Sequence, residues 1–162
     1  MNEFAIQIAE SEDDLQAVRE LVCEYAEWLD VDLCFQGFDE EIADLARAYG
    51  PPTGRLYLAR VAGRPAGCIG LRPMADPEEG EIKRLYVQPA FQGKGIGRAL
   101  VARLIEAARE IGYCRLRLDT LPRRMPEAES LYKGLGCVET APYYHNPVDG
   151  VVFYMLDLRP AA

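Results

Sequence analysis

The chain has 162 residues, 49% of them hydrophobic and 27% charged, and a formal net charge of −8 at pH 7. This length suits one compact domain, which we expect to span residues 1–162. The acidic balance argues against nucleic-acid binding, because contacts to phosphate dominate that affinity. No stretch approaches the ~20 apolar residues of a membrane span, and residues 1–5 lack the basic and apolar stretches of a secretory signal. We therefore expect a cytoplasmic protein with no membrane partner.

The usage of cysteine and histidine argues against a metal centre. The five cysteines are scattered and odd in number, and His145 is the only histidine. The cysteines lack the paired spacing of zinc ligands, so we expect reduced thiols and no metal. A single histidine also makes a Ser-His catalytic triad a poor explanation.

The N-terminal third predicts one strand followed by two helices. Alternating apolar residues predict a short strand, and Ser11 then caps a helix whose first turn is acidic. Apolar residues, among them Trp28, continue at helical spacing as far as Leu29. A second helix is predicted from Asp39 to a stop at Gly50 and the two prolines after it.

The rest of the chain alternates strands with helices. Strands are predicted at 56–61, 66–71, 81–87, 113–119 and 151–158, and helices at 96–111 and 126–135. With a further strand before the loop at 141–150, the resulting order, β-α-α-β-β-β-α-β-α-β-β, is an α/β arrangement on one mixed sheet.

A glycine-rich turn joins the strand at 81–87 to the helix at 96–111. Its sequence is Gln92-Gly93-Lys94-Gly95-Ile96-Gly97-Arg98. Glycine lets the backbone approach an anion closely, and a helix N-terminus favours negative charge, so a pyrophosphate is the expected guest. The string of a mononucleotide P-loop is absent, and a dinucleotide fingerprint would need glycine where Arg98 stands. A tight turn without a ligand is the alternative.

Two motifs carry a resemblance to a known family. Gln92-x-x-Gly95-x-Gly97 resembles the acyl-CoA signature of the GNAT superfamily of N-acyltransferases. Residues 128–137, with Tyr132 in the fifth position, resemble that family's A-x-x-[LF]-Y-x-x-x-G-[FC] helix. The resemblance covers about residues 53–158. It implies a central mixed β-sheet flanked by helices, and an enzyme that uses acetyl-CoA as co-substrate, without a metal, to acetylate an amine.

The resemblance also implies which residues bind acetyl-CoA. Backbone groups of Leu85, Tyr86 and Val87 would pair with the pantetheine arm as an added strand does. The pyrophosphate would contact the glycine-rich turn, that is, Gln92, Gly93, Lys94, Gly95, Ile96, Gly97 and Arg98. Lys94 and Arg98 would add positive charge, although Arg98 could be an ordinary surface residue. The family often has asparagine where this chain has Met125, which puts one contact to the cofactor in doubt; Arg123 or Arg124 could compensate.

Two catalytic residues are implied in the same way. Tyr132 matches the family tyrosine that lies near the CoA sulfur, and a phenol with a pKa near ~10 can protonate the leaving thiolate. The alternative is a packing residue of an amphipathic helix. Glu81 is the expected general base, because several family members place a glutamate at the start of this strand. It could instead be a solvated carboxylate, and a water relay through Tyr86, Asp119 or a carboxylate of the substrate loop would also serve.

The acceptor site is the least determined part of the sequence. In the resembled family it is formed by the connection of the first two helices and by the loop between the last two strands. We expect Asp32, Phe35, Arg84 and Tyr143 to contact a small-molecule amine or amino acid, although Asp32 also suits a capping role. A peptide N-terminus is the alternative acceptor, and a non-catalytic acyl-CoA sensor is the alternative function. The last strands could pair in a homodimer.

Overall fold

The computed structural model describes residues 3–33 and 37–159. The elements are β1 (Phe4–Ile8), α1 (Glu12–Leu29), α2 (Phe38–Ala43), α3 (Leu45–Tyr49), β2 (Arg55–Val61), β3 (Arg64–Pro73), β4 (Glu79–Val87), α4 (Ile96–Ile111), β5 (Arg115–Thr120), α5 (Pro126–Gly134), β6 (Val138–Thr140) and β7 (Val152–Asp157). The predicted α/β class is confirmed, and the predicted bounds of α4 match those observed. Within the described ranges, no helix has both the length and the apolar character needed to cross a membrane.

One seven-stranded sheet carries the fold, in the order β1-β2-β3-β4-β5-β7-β6. Neighbouring strands are antiparallel except for β4 and β5, which run parallel. This parallel pairing covers only Glu79–Glu81 against Arg115–Arg117, and the two strands then part. β7 is internal to the sheet, so β6 alone of the last two strands offers an edge for the predicted homodimer, which stays a prediction.

Helices cover both faces of the sheet. A larger apolar cluster joins α4 to one face, with Leu100 and Leu104 fully buried. A second cluster joins α1 and α3 to the other face, through residues such as Val18 and Leu45. Ser11 caps α1 as predicted, since its side chain accepts a hydrogen bond of 3.1 Å from the Asp14 amide.

The predicted second helix is interrupted at Asp44. This residue has φ −145° and ψ 76°, and its amide closes α2 by donating to Glu40 and Glu41. Its carboxylate then accepts from the Arg47 amide at 3.1 Å and begins α3. Aspartate is a strong N-cap, so the side chain favours a new helix start over continuation of the first.

A β-bulge in β4 redirects its side chains. Cys68 faces Tyr86 and Gly70 faces Lys83 across the β3–β4 ladder, so β4 has one more residue than β3 between these pairs. The extra residue is Arg84, whose φ of 61° lies in the left-handed region. As a result Lys83 and Arg84 both form ion pairs, where strict alternation would send one of them to the opposite face.

The side chain of Arg84 is held by a buried carboxylate from α2. Its Nε and Nη2 each donate to Glu41 at 2.8 Å, and the Tyr49 hydroxyl donates to the same carboxylate at 2.6 Å. Burial raises the pKa of Glu41, but the Arg84 guanidinium outweighs this effect and the net pKa is lowered. The pair therefore fixes α2 to the bulge with both groups charged.

Replacing Glu41 with alanine should leave the Arg84 charge buried without its partner. Because a broken buried ion pair costs about 3–5 kcal/mol, we expect a comparable loss in the free energy of unfolding, measured with urea. Glu40→Ala, on the exposed side of the same helix, is the matched control and should change little. Equal stability of the two variants would show that the pair does not anchor α2.

Candidate functional site

A cleft of about 680 Å³ opens where β4 and β5 part, between the start of α4 and the start of α5. This volume lies within the ~300–1,000 Å³ of typical ligand sites. Nine of the ten residues predicted to hold the cofactor line it, namely Leu85, Tyr86, Val87, Gln92, Gly93, Gly95, Ile96, Gly97 and Arg98. The two predicted segments, the end of β4 and the glycine-rich turn, thus face one cleft.

The glycine-rich turn offers backbone amides to this cleft. Gly95 is the N-cap of α4 with φ 84° and makes no side-chain capping bond. The first helical bond runs from the Ala99 amide to Gly95, so the amides of residues 96–98 have no acceptor within the helix. A Cβ on Gly95 would meet no described protein atom within 4 Å, which leaves space for a ligand. Backbone amides and helix dipole together suit a pyrophosphate.

Of the ten predicted cofactor residues, Lys94 does not line the cleft. Its ammonium lies 3.3 Å from the Glu3 carboxylate in an exposed pair. Arg98 and Arg124 do line the cleft and bring positive charge to it, whereas Arg123 does not line it. Arg124 also donates to the Leu29 carbonyl at 2.7 Å, which ties the end of α1 to the cleft wall.

A second, smaller cavity adjoins the cleft. The two share Leu85 and Met125, and the smaller one lies between the end of α1, β4, β5 and the β6–β7 connection. Its wall combines apolar side chains with five polar or charged ones, Lys83, Arg84, Asp119, Thr120 and Asn146. A reactant in one cavity would therefore meet a reactant in the other beside Leu85 and Met125.

Tyr132 lines the smaller cavity from α5. The residue is 4% exposed, and within the described part of the chain its hydroxyl has no hydrogen-bond partner. Burial is the largest cause, and the nearby Tyr25 the second, that raises the pKa of the Tyr132 phenol well above its ordinary value. The phenol is therefore protonated at neutral pH and able to donate.

Glu81 is part of a buried network of alternating charges and does not line either cavity. Its Oε1 lies 2.8 Å from Arg72 Nε. Its Oε2 accepts from the Tyr143 hydroxyl at 2.5 Å and lies 3.5 Å from Lys83 Nζ. In order, the network joins Arg84, Glu41, Arg72, Glu81, Lys83 and Asp119. The structure thus engages both oxygens of the predicted base with protein partners.

Asp119 is the carboxylate that does line the smaller cavity. Its Oδ1 lies 3.4 Å from Lys83 Nζ, and its Oδ2 accepts from Asn146 at 2.8 Å and from the Tyr144 hydroxyl. Burial raises the pKa of Asp119, but the Lys83 charge and these hydrogen bonds more than offset it, so the net pKa is lowered. Asp119 is therefore ionised at neutral pH.

The predicted acceptor residues are not all in one place. Arg84 lines the smaller cavity, with its guanidinium held by Glu41. Tyr143 does not line it, and its hydroxyl bonds to Glu81. Asp32 is exposed while its neighbours in sequence line the cavity. Phe35 lies outside the described residues.

Sequence reasoning missed two features of the site. Trp28 was assigned to the apolar face of α1 by its spacing, but it is 43% exposed and lines the cleft. The pairing of Lys83 with Asp119 joins residues 36 positions apart, and only the polar face of the alternating β5 pattern hinted at it. In the described ranges no group of three or more His, Cys, Asp or Glu side chains is arranged to hold a metal ion.

Comparison with known proteins agrees with this geometry. The model of the acetyltransferase (GNAT) family matches residues 15–137. A Schizosaccharomyces pombe protein described as an uncharacterized N-acetyltransferase is 39% identical over 156 residues, which are 96% of this chain and 95% of that protein.

Solved structures share the fold. An acetyltransferase of the GNAT family from Staphylococcus aureus superposes with a TM-score of 0.78 at 20% identity, covering 96% of this chain and all of that one (100%). An acetyltransferase from Salmonella typhimurium, solved with its cofactor acetyl-CoA, has a TM-score of 0.72 at 22% identity and covers 98% of this chain and 96% of its own. With the family match, the long cleft and the buried tyrosine, these likenesses lead to one conclusion: the chain belongs to the GNAT family and is an N-acetyltransferase.

Proposed function

We propose that this enzyme transfers the acetyl group of acetyl-CoA to the primary amine of a small molecule or amino acid. The observation that carries the proposal is the junction of the two cavities at Leu85 and Met125. The cleft with its free amides suits the cofactor, and the smaller cavity, of about 50 Å³, can receive the amino end of a small acceptor beside it. The phenol of Tyr132 lines the acceptor side.

The residues of the cleft fit the parts of coenzyme A. The amides of the glycine-rich turn suit the pyrophosphate, and Arg98 and Arg124 supply positive charge near it. Beyond Glu81, the edge of β4 that faces β5 has no described strand partner, so the backbone of residues 85–87 can pair with an amide-containing arm. An amide of Tyr86 or Val87 would then donate to the oxyanion during transfer.

When bound, acetyl-CoA supplies a thioester whose acetyl carbon forms a C–N bond with the amine as its C–S bond breaks. The amine arrives as an ammonium ion and releases one proton before attack and one after it. One of these protons leaves to solvent, and the thiolate sulfur takes up the equivalent of the other. Tyr132 is the donor to sulfur, because its raised pKa keeps it protonated.

For the first proton, Glu81 stays the base proposed from the sequence. Its partners are Arg72, Lys83 and Tyr143, so the proton would reach it through this network. Lys83 also contacts Asp119, which lines the acceptor cavity. A water relay that passes Asp119 is the shorter route, because that carboxylate already faces the acceptor.

Binding of coenzyme A can be tested by two substitutions in one helix. Gly95 and Gly112 cap the two ends of α4, both have positive φ, and a Cβ on either meets no described atom within 4 Å. Gly95→Glu and Gly112→Glu therefore impose similar backbone strain. We expect only Gly95→Glu to abolish binding, because it places a carboxylate where the pyrophosphate lies.

Binding can be measured by the intrinsic fluorescence of the protein. Trp28 is its only tryptophan and lines the cleft, so its fluorescence should change as coenzyme A binds. Saturable titration of the Gly112→Glu variant, and none for Gly95→Glu, is the expected pattern. Similar dissociation constants for the two variants would contradict the cofactor assignment.

The role of Tyr132 can be tested with Tyr132→Phe. Loss of a general acid should lower kcat by about 100-fold or more, while the dissociation constant of coenzyme A should stay within about twofold because the ring remains in place. A thiol-release assay with a panel of amines gives kcat, and Trp28 fluorescence gives binding. Parallel loss of both would favour a packing role, and no thiol release by the unaltered enzyme with any amine would favour a non-catalytic sensor.

A further inference from the structure

A buried ion pair lies in the wall of the proposed acceptor cavity, between polar and apolar side chains. Lys83 and Asp119 both line it, with Nζ and Oδ1 separated by 3.4 Å and side-chain exposures of 4% and 9%. The apolar part of the wall includes Leu29, Val31, Leu33, Leu121, Val148 and Val151. Buried charges are costly unless they have partners, and here each of the two charges is a partner of the other.

Both charges keep hydrogen-bonding capacity. An ammonium has three donors, and the Lys83 ammonium makes two contacts to carboxylates, of 3.4 Å to Asp119 and 3.5 Å to Glu81, with the Tyr144 ring centroid 5.2 Å away. Charge-assisted bonds are usually ~2.7–2.9 Å, so these contacts are long. The Oδ1 atom of Asp119 has Lys83 as its partner in the described part of the chain, and a carboxylate oxygen accepts more than one bond.

The charge balance of the surrounding network restricts the ligand. Its three cations, Arg72, Lys83 and Arg84, face three carboxylates, Glu41, Glu81 and Asp119. A cationic amine without a carboxylate would add an unbalanced positive charge to this buried region. A ligand that carries one charge of each sign keeps the region neutral.

We infer that the acceptor is a free α-amino acid with an apolar side chain, its ammonium paired with Asp119 and its carboxylate with Lys83. The two charged groups of an α-amino acid are attached to one carbon, so they lie about as close together as the Lys83–Asp119 pair. The apolar wall receives the side chain. This inference rests on the proposed acetyl transfer and names its acceptor; the products are the N-acetylamino acid, coenzyme A and one proton.

The first test compares four acceptors with the unaltered enzyme in the thiol-release assay. Valine has both charges, isobutylamine and valinamide lack the carboxylate, and the dipeptide Val-Gly has it in the wrong position. Each analogue lacks a carboxylate at the position where it would pair with Lys83. We therefore expect kcat/KM for valine to exceed that for the others by roughly 10- to 100-fold. Equal use of isobutylamine would overturn the inference and leave the acetyltransferase intact, and equal use of Val-Gly would point to peptide N-termini.

The second test moves the preference by substitution. Lys83→Met should reduce the valine-to-isobutylamine ratio of kcat/KM to near unity, and Lys83→Arg should retain much of it. A ratio measured on one sample does not depend on how much of that sample is folded, so partial unfolding does not obscure the result. Lys133→Met, at a surface lysine that is 59% exposed, is the matched control and should keep the original ratio.

The outcomes distinguish a failure of the proposed acetyl transfer from a failure of the amino-acid assignment. If coenzyme A binds but no acceptor releases thiol, the proposed function fails and the inference fails with it. If thiol is released and Lys83→Met lowers kcat/KM for valine and isobutylamine equally, Lys83 does not recognise a carboxylate and only the inference is lost. Should Lys83→Met not fold, the acceptor panel with the unaltered enzyme and the Lys83→Arg ratio still decide the matter.

Discussion

The site depends on the short pairing between β4 and β5. Their parallel ladder spans Glu79–Glu81 of β4. Beyond it, the backbone groups on the facing edges of the two strands do not form hydrogen bonds to each other. Polar backbone groups away from water need partners, so this wedge favours a ligand that can supply them. The bulge at Arg84 lies within the same wedge and bends β4 where the strands have parted. Both cavities occupy this opening, and the glycine-rich turn closes its far end.

A bulge that turns two consecutive basic side chains toward one face needs a source of negative charge there. Glu41 supplies it from α2 and Asp119 from β5, while Glu81 lies between them. The network therefore does two tasks at once. It fixes a short helix and a neighbouring strand to β4, and it keeps an ionised carboxylate in a cavity wall where burial alone would favour the neutral acid. The same contacts therefore stabilise the fold and determine the electrostatics of the site.

The sequence predicted those features of the site that depend on residues close together in the chain. The glycine-rich turn, the extent of α4 and the position of Tyr132 follow from motifs whose residues are close in the chain. It did not predict the break at Asp44, because a capping side chain outweighed an otherwise continuous apolar pattern. Trp28 was misassigned since helical spacing identifies a face and not what that face meets. For a pair between distant residues, such as Lys83 with Asp119, the alternating pattern of β5 indicates a polar face but not the partner.

As the proposed acceptor site, the smaller cavity must satisfy two opposing demands. Ionised Asp119 favours an ammonium, which cannot attack a thioester, so the binding that positions the amine also lowers its reactivity. The long contacts of Lys83 moderate this conflict, since a cation beside Asp119 weakens the hold of the carboxylate on the proton. Tyr132 cannot relieve it, because a phenol with a raised pKa gives protons and does not take them at neutral pH. In the proposed mechanism, proton removal and proton donation therefore belong to different elements, β4 and β5 for the first and α5 for the second.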